Sequence, residues 1–203
     1  MKIHDISKLI DENILVYPGD PSVKINKIKN IASDGWNISE FCMSTHTCTH
    51  IDTLLHIEDK SPGAENVPLE KCYGECQVLD LMEIPFGESI TEKYLKKFVI
   101  EKNEIILIKT KNSILNNNEF KNDFVFLSKN GAEYLVKKGI KSVGIDYLSI
   151  GPKEVHKILL ENEVLIFENL SLKKIRPKNY TFIGLPLKIK AEGAPARVIL
   201  IEE

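Results

Sequence analysis

The chain has 203 residues, of which 43% are hydrophobic and 28% charged, with a formal net charge of -2. This length can bury a core without disulfides or a structural metal, and we expect a single domain over residues 1–203. The even charge balance excludes a nucleic-acid partner, and the lack of a signal segment or of a window of roughly 20 apolar residues predicts a cytoplasmic protein without membrane contact.

The first part of the chain predicts a rigid turn followed by a hairpin. Residues 3–10 form a short amphipathic segment, and residues 16–21 form a Pro/Gly turn, which is either a plain loop or one wall of a site. Residues 23–31 alternate as a strand does, and the turn at residues 34–35 leads into a second strand over residues 37–45. This hairpin delivers the chain to a histidine-rich segment.

The rest of the chain alternates predicted strands with predicted helices. Strands are predicted at residues 77–81, 105–108, 124–127, 142–146, 164–167, 182–187 and 197–201. Helices are predicted at residues 67–72, 91–98, 129–138 and 152–161. Thr91 and Ser128 are candidate N-caps, Gly139 ends a helix, Pro152 lies near the first helical position, and residues 193–195 form a turn. The order predicts an α/β fold with a mixed, partly parallel sheet and covering helices.

The histidine-rich segment contains His46, His50, Asp52 and His56, all within eleven positions. Imidazole and carboxylate groups are the usual protein ligands of zinc and neighbouring first-row metals. A straight strand would place His46 and His50 roughly 13 Å apart, and a helix would turn Asp52 away and suits the Thr-rich run poorly. We therefore predict an extended segment that bends sharply between the two histidines. The alternative is unrelated histidines that each bond a nearby carbonyl, but such clustering favours a metal.

Two residues in the second half of the chain extend this polar set. His156 lies on the predicted helix at residues 152–161, and Glu168 follows the next strand, where α/β folds place ligands. Glu168 alone would be read as a solvated carboxylate, but together with His156 it completes one metal site, or two sites that share a carboxylate. The four cysteines are expected to be reduced thiols, without a disulfide or metal role.

These residues resemble the metal-dependent cyclase-like hydrolases, the family that includes bacterial kynurenine formamidase and isatin hydrolase. The family signature is similar to His-x-Gly-Thr-His-x-Asp-x3-His, which here spans residues 46–56. Other similar segments are Tyr17-Pro18-Gly19-Asp20-Pro21, Gly144-Ile145-Asp146 with Ser149, Glu168-Asn169-Leu170, Leu185-Pro186-Leu187-Lys188 and Gly193-Ala194-Pro195-Ala196-Arg197. The chain departs from the family pattern at Cys48, where glycine is usual, at Thr53-Leu54, where Ala-Pro is common, and at Tyr147-Leu148, where Thr-Pro is common.

The resemblance implies a swivelling β/β/α fold and a homodimer or homotetramer. It also implies one or two divalent ions, with zinc as the first choice and manganese as the second. By this likeness His46, His50 and Asp52 bind metal, His156 and Glu168 complete a second metal position or a catalytic pair, and His56 is the acid/base or a further ligand. The departures predict a substrate that differs from those of the best-known members.

The expected activity is hydrolysis of a small amide, formamide or cyclic amide by a metal-activated water, as in an arylformamidase. A divalent ion lowers the pKa of bound water from about 15.7 toward 7 and polarises a carbonyl, while His56 passes a proton to the leaving nitrogen. Two alternatives stay open from the sequence. One is a metal-dependent lyase or dehydratase on the same scaffold, and the other is a binding protein whose metal only holds a loop.

Overall fold

The structure is a computed structural model that describes residues 1–115 and 119–203. Its strands are β1 (Lys2–Asp5), β2 (Lys24–Lys29), β3 (Ile38–Cys42), β4 (His50–Asp52), β5 (Tyr73–Asp80), β6 (Ser89–Ile90), β7 (Ile105–Lys109), β8 (Phe126–Leu127), β9 (Ser142–Ile145), β10 (Leu165–Glu168), β11 (Asn179–Pro186) and β12 (Gly193–Glu202). Its helices are α1 (Ile31–Asp34), α2 (Glu92–Leu95), α3 (Lys129–Lys138) and α4 (Lys153–Glu161). The described part of the chain has no helix with the length and hydropathy of a membrane span.

Eight strands form one mixed sheet in the order β1-β12-β11-β5-β7-β9-β10-β4. Strands β5, β7, β9 and β10 are parallel to one another, and the other pairs are antiparallel. Because β4 also pairs with β12, the sheet closes on itself like a barrel. The prediction of an α/β fold with a mixed, partly parallel sheet is confirmed.

The core lies on both faces of this sheet, as the apolar run in β7 shows. Ile106 and Ile108 pack in the cluster that also contains side chains of α3 and α4, whereas Ile105 and Leu107 pack inside the closed sheet. Successive side chains of a strand point to opposite faces, so a strand covered on both sides needs an unbroken apolar sequence. Each such side chain contributes roughly 1.5–3 kcal/mol on full burial, which makes β7 a stable base for the loops at its end.

The two longer helices follow their predicted signals. Helix α3 covers the predicted residues, the Ser128 hydroxyl accepts a hydrogen bond from the Gly131 amide, and Gly139 ends the helix in the left-handed conformation at φ 71°. Helix α4 starts one residue after Pro152, which occupies the N-cap position. The predicted helix at residues 67–72 is instead two short 3-10 turns, Ala64–Asn66 and Leu69–Lys71.

Several predicted elements are shorter in the structure. The strand at residues 23–31 ends at Lys29, because Asn30 caps α1 with its side chain. The helix at residues 91–98 is reduced to α2, which Thr91 precedes without a side-chain capping bond. The strand at residues 124–127 keeps only β8, which pairs with β6 outside the main sheet, because Asn112 bonds both backbone groups of Val125.

The predicted turn at residues 193–195 is wrong, because these residues begin β12. Gly193 lies opposite Asp52 and Pro195 lies opposite His50, so this stretch is a direct partner of β4. Glycine is required for this approach, since a Cβ at Gly193 would lie 2.7 Å from Cε1 of His46. The Gly and Pro that suggested a turn therefore serve a close strand pairing at the site.

Candidate metal centre

The bend predicted between His46 and His50 is present. The chain leaves β3, turns over residues 45–49 and enters β4 at His50. Cys48 takes the left-handed conformation at φ 62°, a conformation that a Cβ disfavours. Its thiol is buried and lies 3.5 Å from the carbonyl oxygen of Leu9. This contact joins the bend to the N-terminal segment of the chain.

Strand pairing places Glu168 beside two of the predicted ligands. In the antiparallel ladder of β10 and β4, Glu168 is directly opposite His50. Nε2 of His50 lies 3.4 Å from Oε2 of Glu168 and 3.3 Å from Oδ1 of Asp52. The Nδ1–H of His50 donates to the carbonyl of Cys48 at 2.9 Å, so its Nε2 is the nitrogen presented to the carboxylates.

Helix α4 brings the fourth predicted residue to the same point. Nε2 of His156 lies 3.1 Å from Oε1 of Glu168 and 3.4 Å from Oδ2 of Asp52. Glu168 is held in turn by the amide of Ile150, which donates to Oε1 at 2.6 Å. Strand β4, strand β10 and helix α4 therefore converge, and the predicted meeting of the two halves of the chain is observed.

His46 and His56 lie on the outer side of the cluster. Nδ1 of His46 is 2.8 Å from Oδ1 of Asp52, and the rings of His46 and His56 have centroids 4.2 Å apart. His56 ends the 3-10 turn Leu54–His56 and is partly exposed at the mouth of the site. One ligand atom from each of His46, Asp52 and His56 lies within 4.8 Å of the others, and the same holds for His50, Asp52 and Glu168.

The charges in the cluster depend strongly on one another. Burial by itself lowers the histidine pKa values, but the carboxylates of Asp52 and Glu168 raise the pKa of His50 to about 10 and that of His156 to about 11. Burial raises the pKa of Asp52, yet the surrounding histidines bring it well below its usual range. For His56, burial is the main influence and lowers the pKa. The two buried carboxylates of Asp52 and Glu168 are therefore stable as anions only with positive charge close to them.

The polar atoms of the cluster fit a divalent ion. Among the described residues, Nε2 of His46, Nε2 of His50 and Oδ2 of Asp52 are buried without a hydrogen-bond partner. Such orphaned atoms are costly in a protein interior unless something binds them. Imidazole nitrogens with carboxylate oxygens form a donor set that suits zinc or manganese. The two groups share Asp52, but they divide the predicted residues differently from the expectation, because His56 lies with His46 and Glu168 lies with His50.

A cavity of about 420 Å³ opens onto the cluster. Its lining includes His46, His56, His156 and Glu168, together with Tyr17, Asp20, Leu148, Ser149 and Lys153. The turn at residues 16–21 is thus a wall of the site, the second of the two readings that the sequence left open. Asp20 belongs to that turn. Lys153 was not recognised as a cavity residue from the sequence, because nothing in its spacing connects it with the histidines.

Glu192 was also missed by sequence reasoning. Its carboxylate accepts a hydrogen bond from the Thr45 hydroxyl at 2.6 Å, and its carbonyl accepts bonds from the amide and hydroxyl of Thr53. Glu192 therefore holds Thr45, the residue before His46, and Thr53, the residue after β4. Asp146 of the mid-chain motif lies outside the cluster, where it accepts bonds from Thr110 and Ser113 and where burial raises its pKa to about 6.

Comparisons with known proteins agree with this geometry. The model of the family named Cyclase matches residues 4–152. The kynurenine formamidase of Bacillus thuringiensis strain Al Hakam is 31% identical to this chain over 97% of the chain and 95% of the relative. A solved structure from Bacillus stearothermophilus, described as a predicted metal-dependent hydrolase, has a TM-score of 0.86 at 33% identity, covering 98% of this chain and 97% of that one.

A more distant neighbour shares the fold at low identity. Isatin hydrolase A from Labrenzia aggregata has a TM-score of 0.88 at 19% identity, over 100% of this chain and 94% of that one. The relatives above 30% identity show that the chain is a hydrolase of amide C–N bonds, and the histidine–carboxylate cluster is its candidate metal site. With a match over most of its length and a relative above 30% identity, the chain belongs to the Cyclase family.

Proposed function

We propose that this protein hydrolyses the amide bond of a small aryl formamide of the N-formylkynurenine type, with one or two divalent ions at the cluster. The observation that carries the proposal is the set of orphaned, buried ligand atoms around Asp52 at the end of a cavity. The 31% identity to a kynurenine formamidase supports the choice of a formamide.

His46, His50 and Asp52 would hold one ion, and His156 and Glu168, with the second oxygen of Asp52, would hold another or complete a catalytic pair. Zinc is the first choice and manganese the second, since both accept mixed imidazole and carboxylate ligands. A divalent ion at this position supplies a Lewis acid that polarises a carbonyl and lowers the pKa of bound water.

His56 supplies the proton transfer in this proposal. Burial lowers its pKa, so the ring is neutral near pH 7 and can accept a proton before it delivers one to the leaving nitrogen. Its position at the cavity mouth, next to the ring of His46, leaves it in reach of both the cluster and a bound substrate. Cleavage of the amide then releases formate and an aryl amine.

The cavity walls fit the other parts of such a substrate. Tyr17 offers an aromatic surface, and Lys153 forms no ion pair with any residue that the structure describes. An ammonium group in this position can bind the carboxylate of an amino-acid substrate. Asp20, on the same lining, is available for the amino group.

The test is formate release by purified protein that has been stripped of metal and reloaded with zinc or manganese. We expect the metal-loaded protein to hydrolyse N-formylkynurenine and the stripped protein to lose this activity. Glu168→Gln should lose activity together with metal, while Lys153→Met should keep the metal and raise the KM for N-formylkynurenine. Failure of the metal-loaded protein to cleave N-formylkynurenine, isatin or simple cyclic amides would overturn the proposal.

We also propose that the protein is a homodimer or homotetramer that assembles through the β2–β3 hairpin. This hairpin and its turn expose Ile28, Ile31, Trp36 and Phe41, an apolar surface of the kind that marks protein interfaces. Light scattering would test the assembly, with Phe41→Asp expected to yield monomers and a monomeric wild type contradicting it.

A further inference from the structure

A series of contacting aromatic rings extends from the interior to the cavity. Its innermost member is Tyr147. Tyr147 is only 4% exposed. Its hydroxyl accepts a hydrogen bond from the Lys121 amide at 2.8 Å and donates to the Lys121 carbonyl at 3.1 Å. The hydroxyl group thus both donates and accepts a hydrogen bond. The backbone of Lys121 therefore holds the Tyr147 ring in place.

The next rings in the series are Phe124 and Phe120. Tyr147 stacks on Phe124 with centroids 4.6 Å apart and an interplanar angle of 28°, and it contacts Phe120 at 5.8 Å. Phe120 meets Tyr17 edge-on, at 5.1 Å and 69°. The Tyr147–Phe124 and Tyr17–Phe120 pairs have the stacked and edge-on geometries that aromatic pairs prefer, and the tilted Tyr147–Phe120 pair lies within the usual range of centroid distances. The position of Tyr17 is therefore coupled to Tyr147 through Phe120.

Tyr17 is the member of this series that reaches the cavity. It is 44% exposed and lines the same space as His56 and His156. Because Tyr17 lies in the turn at residues 16–21 and not in a regular element, its ring has no strand or helix to hold it. The contact with Phe120 provides that support.

We propose that Tyr147 is a positioning residue that, through Phe120, holds the ring of Tyr17 against the planar aromatic ring of the substrate. The inference rests on the proposed function, because it assigns a contact to the aryl part of the formamide. By this contact, Tyr147 contributes to the choice of substrate although it does not line the cavity itself.

The experiment compares two uncharged formamides of similar size, formanilide and N-cyclohexylformamide, with the zinc-loaded enzyme. Tyr17→Leu and Tyr147→Thr should each raise the KM for formanilide about fivefold, the effect expected for the loss of one ring contact. Both variants should change the KM for N-cyclohexylformamide by much less than they change the KM for formanilide. The kcat of each variant should stay within about twofold of the wild-type value, because the histidine–carboxylate cluster is unchanged. Tyr147→Phe keeps the rings but loses the bonds to Lys121, so its effect should be smaller.

Phe126→Leu is the matched control. Phe126 pairs with Phe124, at 5.9 Å, on the same aromatic cluster, but among the described residues it has no direct ring pair with Phe120 or Tyr17. The variant should leave the ratio of the two KM values as in wild type. An equal loss of selectivity in Phe126→Leu would show a general packing effect and overturn the proposal.

Two further results separate this inference from the function on which it rests. If wild-type enzyme cleaves neither formamide, crystal structures of wild type and Tyr147→Thr still decide the positioning role. The proposed function itself fails only if N-formylkynurenine is not cleaved either. A Tyr17 ring that keeps its place in Tyr147→Thr overturns the inference, and a ring displaced from Phe120 supports it. If Tyr147→Thr does not fold, Phe120→Leu replaces it in both measurements, with the same expectations.

Discussion

Gly193 is the position where a single added methyl group should damage the candidate metal centre most directly. A Cβ on Gly193 would lie 2.7 Å from Cε1 of His46, 3.0 Å from its Nε2 and 2.9 Å from the carbonyl oxygen of Ile51. Carbon atoms pack at about 3.5–4.0 Å, so the contact with His46 is roughly 0.8 Å too short. The Ile51 carbonyl belongs to β4 and cannot withdraw without breaking the strand pairing.

We therefore expect Gly193→Ala to push the His46 ring away from Asp52. Overpacking of this kind costs about 1–3 kcal/mol, and disturbed support around a metal ligand weakens metal binding about 10- to 100-fold. Competition with a chromogenic chelator would measure the zinc affinity of wild type and variant. The thermal unfolding of both proteins, with and without zinc, would show how much of the loss is structural.

Gly87→Ala is a suitable control for the cost of a methyl group on a strained backbone. Gly87 has φ 82°, and its nearest neighbour to an added Cβ is 4.0 Å away. The control should lose about 1–2 kcal/mol of stability from the left-handed conformation and keep its zinc affinity. If Gly193→Ala binds zinc as tightly as wild type, His46 is not the ligand that the geometry indicates.

Four further outcomes are expected. His56→Ala should retain metal and lose about 10²- to 10⁴-fold in kcat on a proven substrate, and wild-type turnover would show that His56 is not the proton donor. The folded pKa values of His50 and His156 are raised above the unfolded value of 6.5, so the stabilisation from these two histidines should be complete below about pH 6.5 and be lost as the pH rises through about 10 to 11. A metal-free melting temperature that increases from pH 7 to 10 would contradict the charge assignment. Saturating zinc should raise the melting temperature of wild type but not that of Glu168→Gln, as differential scanning fluorimetry can show, and equal shifts would remove Glu168 from the ligand set. Leu107→Ala, in the fully buried strand β7, should cost about 2–5 kcal/mol in urea unfolding, and a loss below 1 kcal/mol would mean that the core relaxes around the deletion.

The sequence was most informative where one local rule decides the structure. Ser128 and Gly139 mark the ends of α3, because capping and the left-handed stop involve only neighbouring residues. The unbroken apolar run of β7 likewise predicts burial on both faces. For the candidate site, the density of ligand-type residues between His46 and His56 indicated a metal without any knowledge of the fold.

The sequence was misleading where a distant partner decides the structure. Gly193 and Pro195 carry a turn composition, yet β4 recruits them into a strand, which no local pattern reveals. Residues 124–127 look like a buried strand, but the amide of Asn112 occupies the backbone groups of Val125. Lys153 became a site residue only when the fold brought its segment to the cavity mouth, and the fold also decided between the two readings of the turn that carries Tyr17.

The pairing of β4 with strands on both of its sides has a consequence for the order in which the protein folds. This three-residue strand is the seam of the closed sheet, and it joins β10 and β12, which come from the opposite half of the chain. Contacts so distant in sequence form late in folding, since the chain must first give up the entropy of closing long loops. Zinc added during refolding should therefore speed the last step, in which β4 pairs with β10 and β12. Without zinc, the amides of β4 should exchange with deuterium sooner than those of β7.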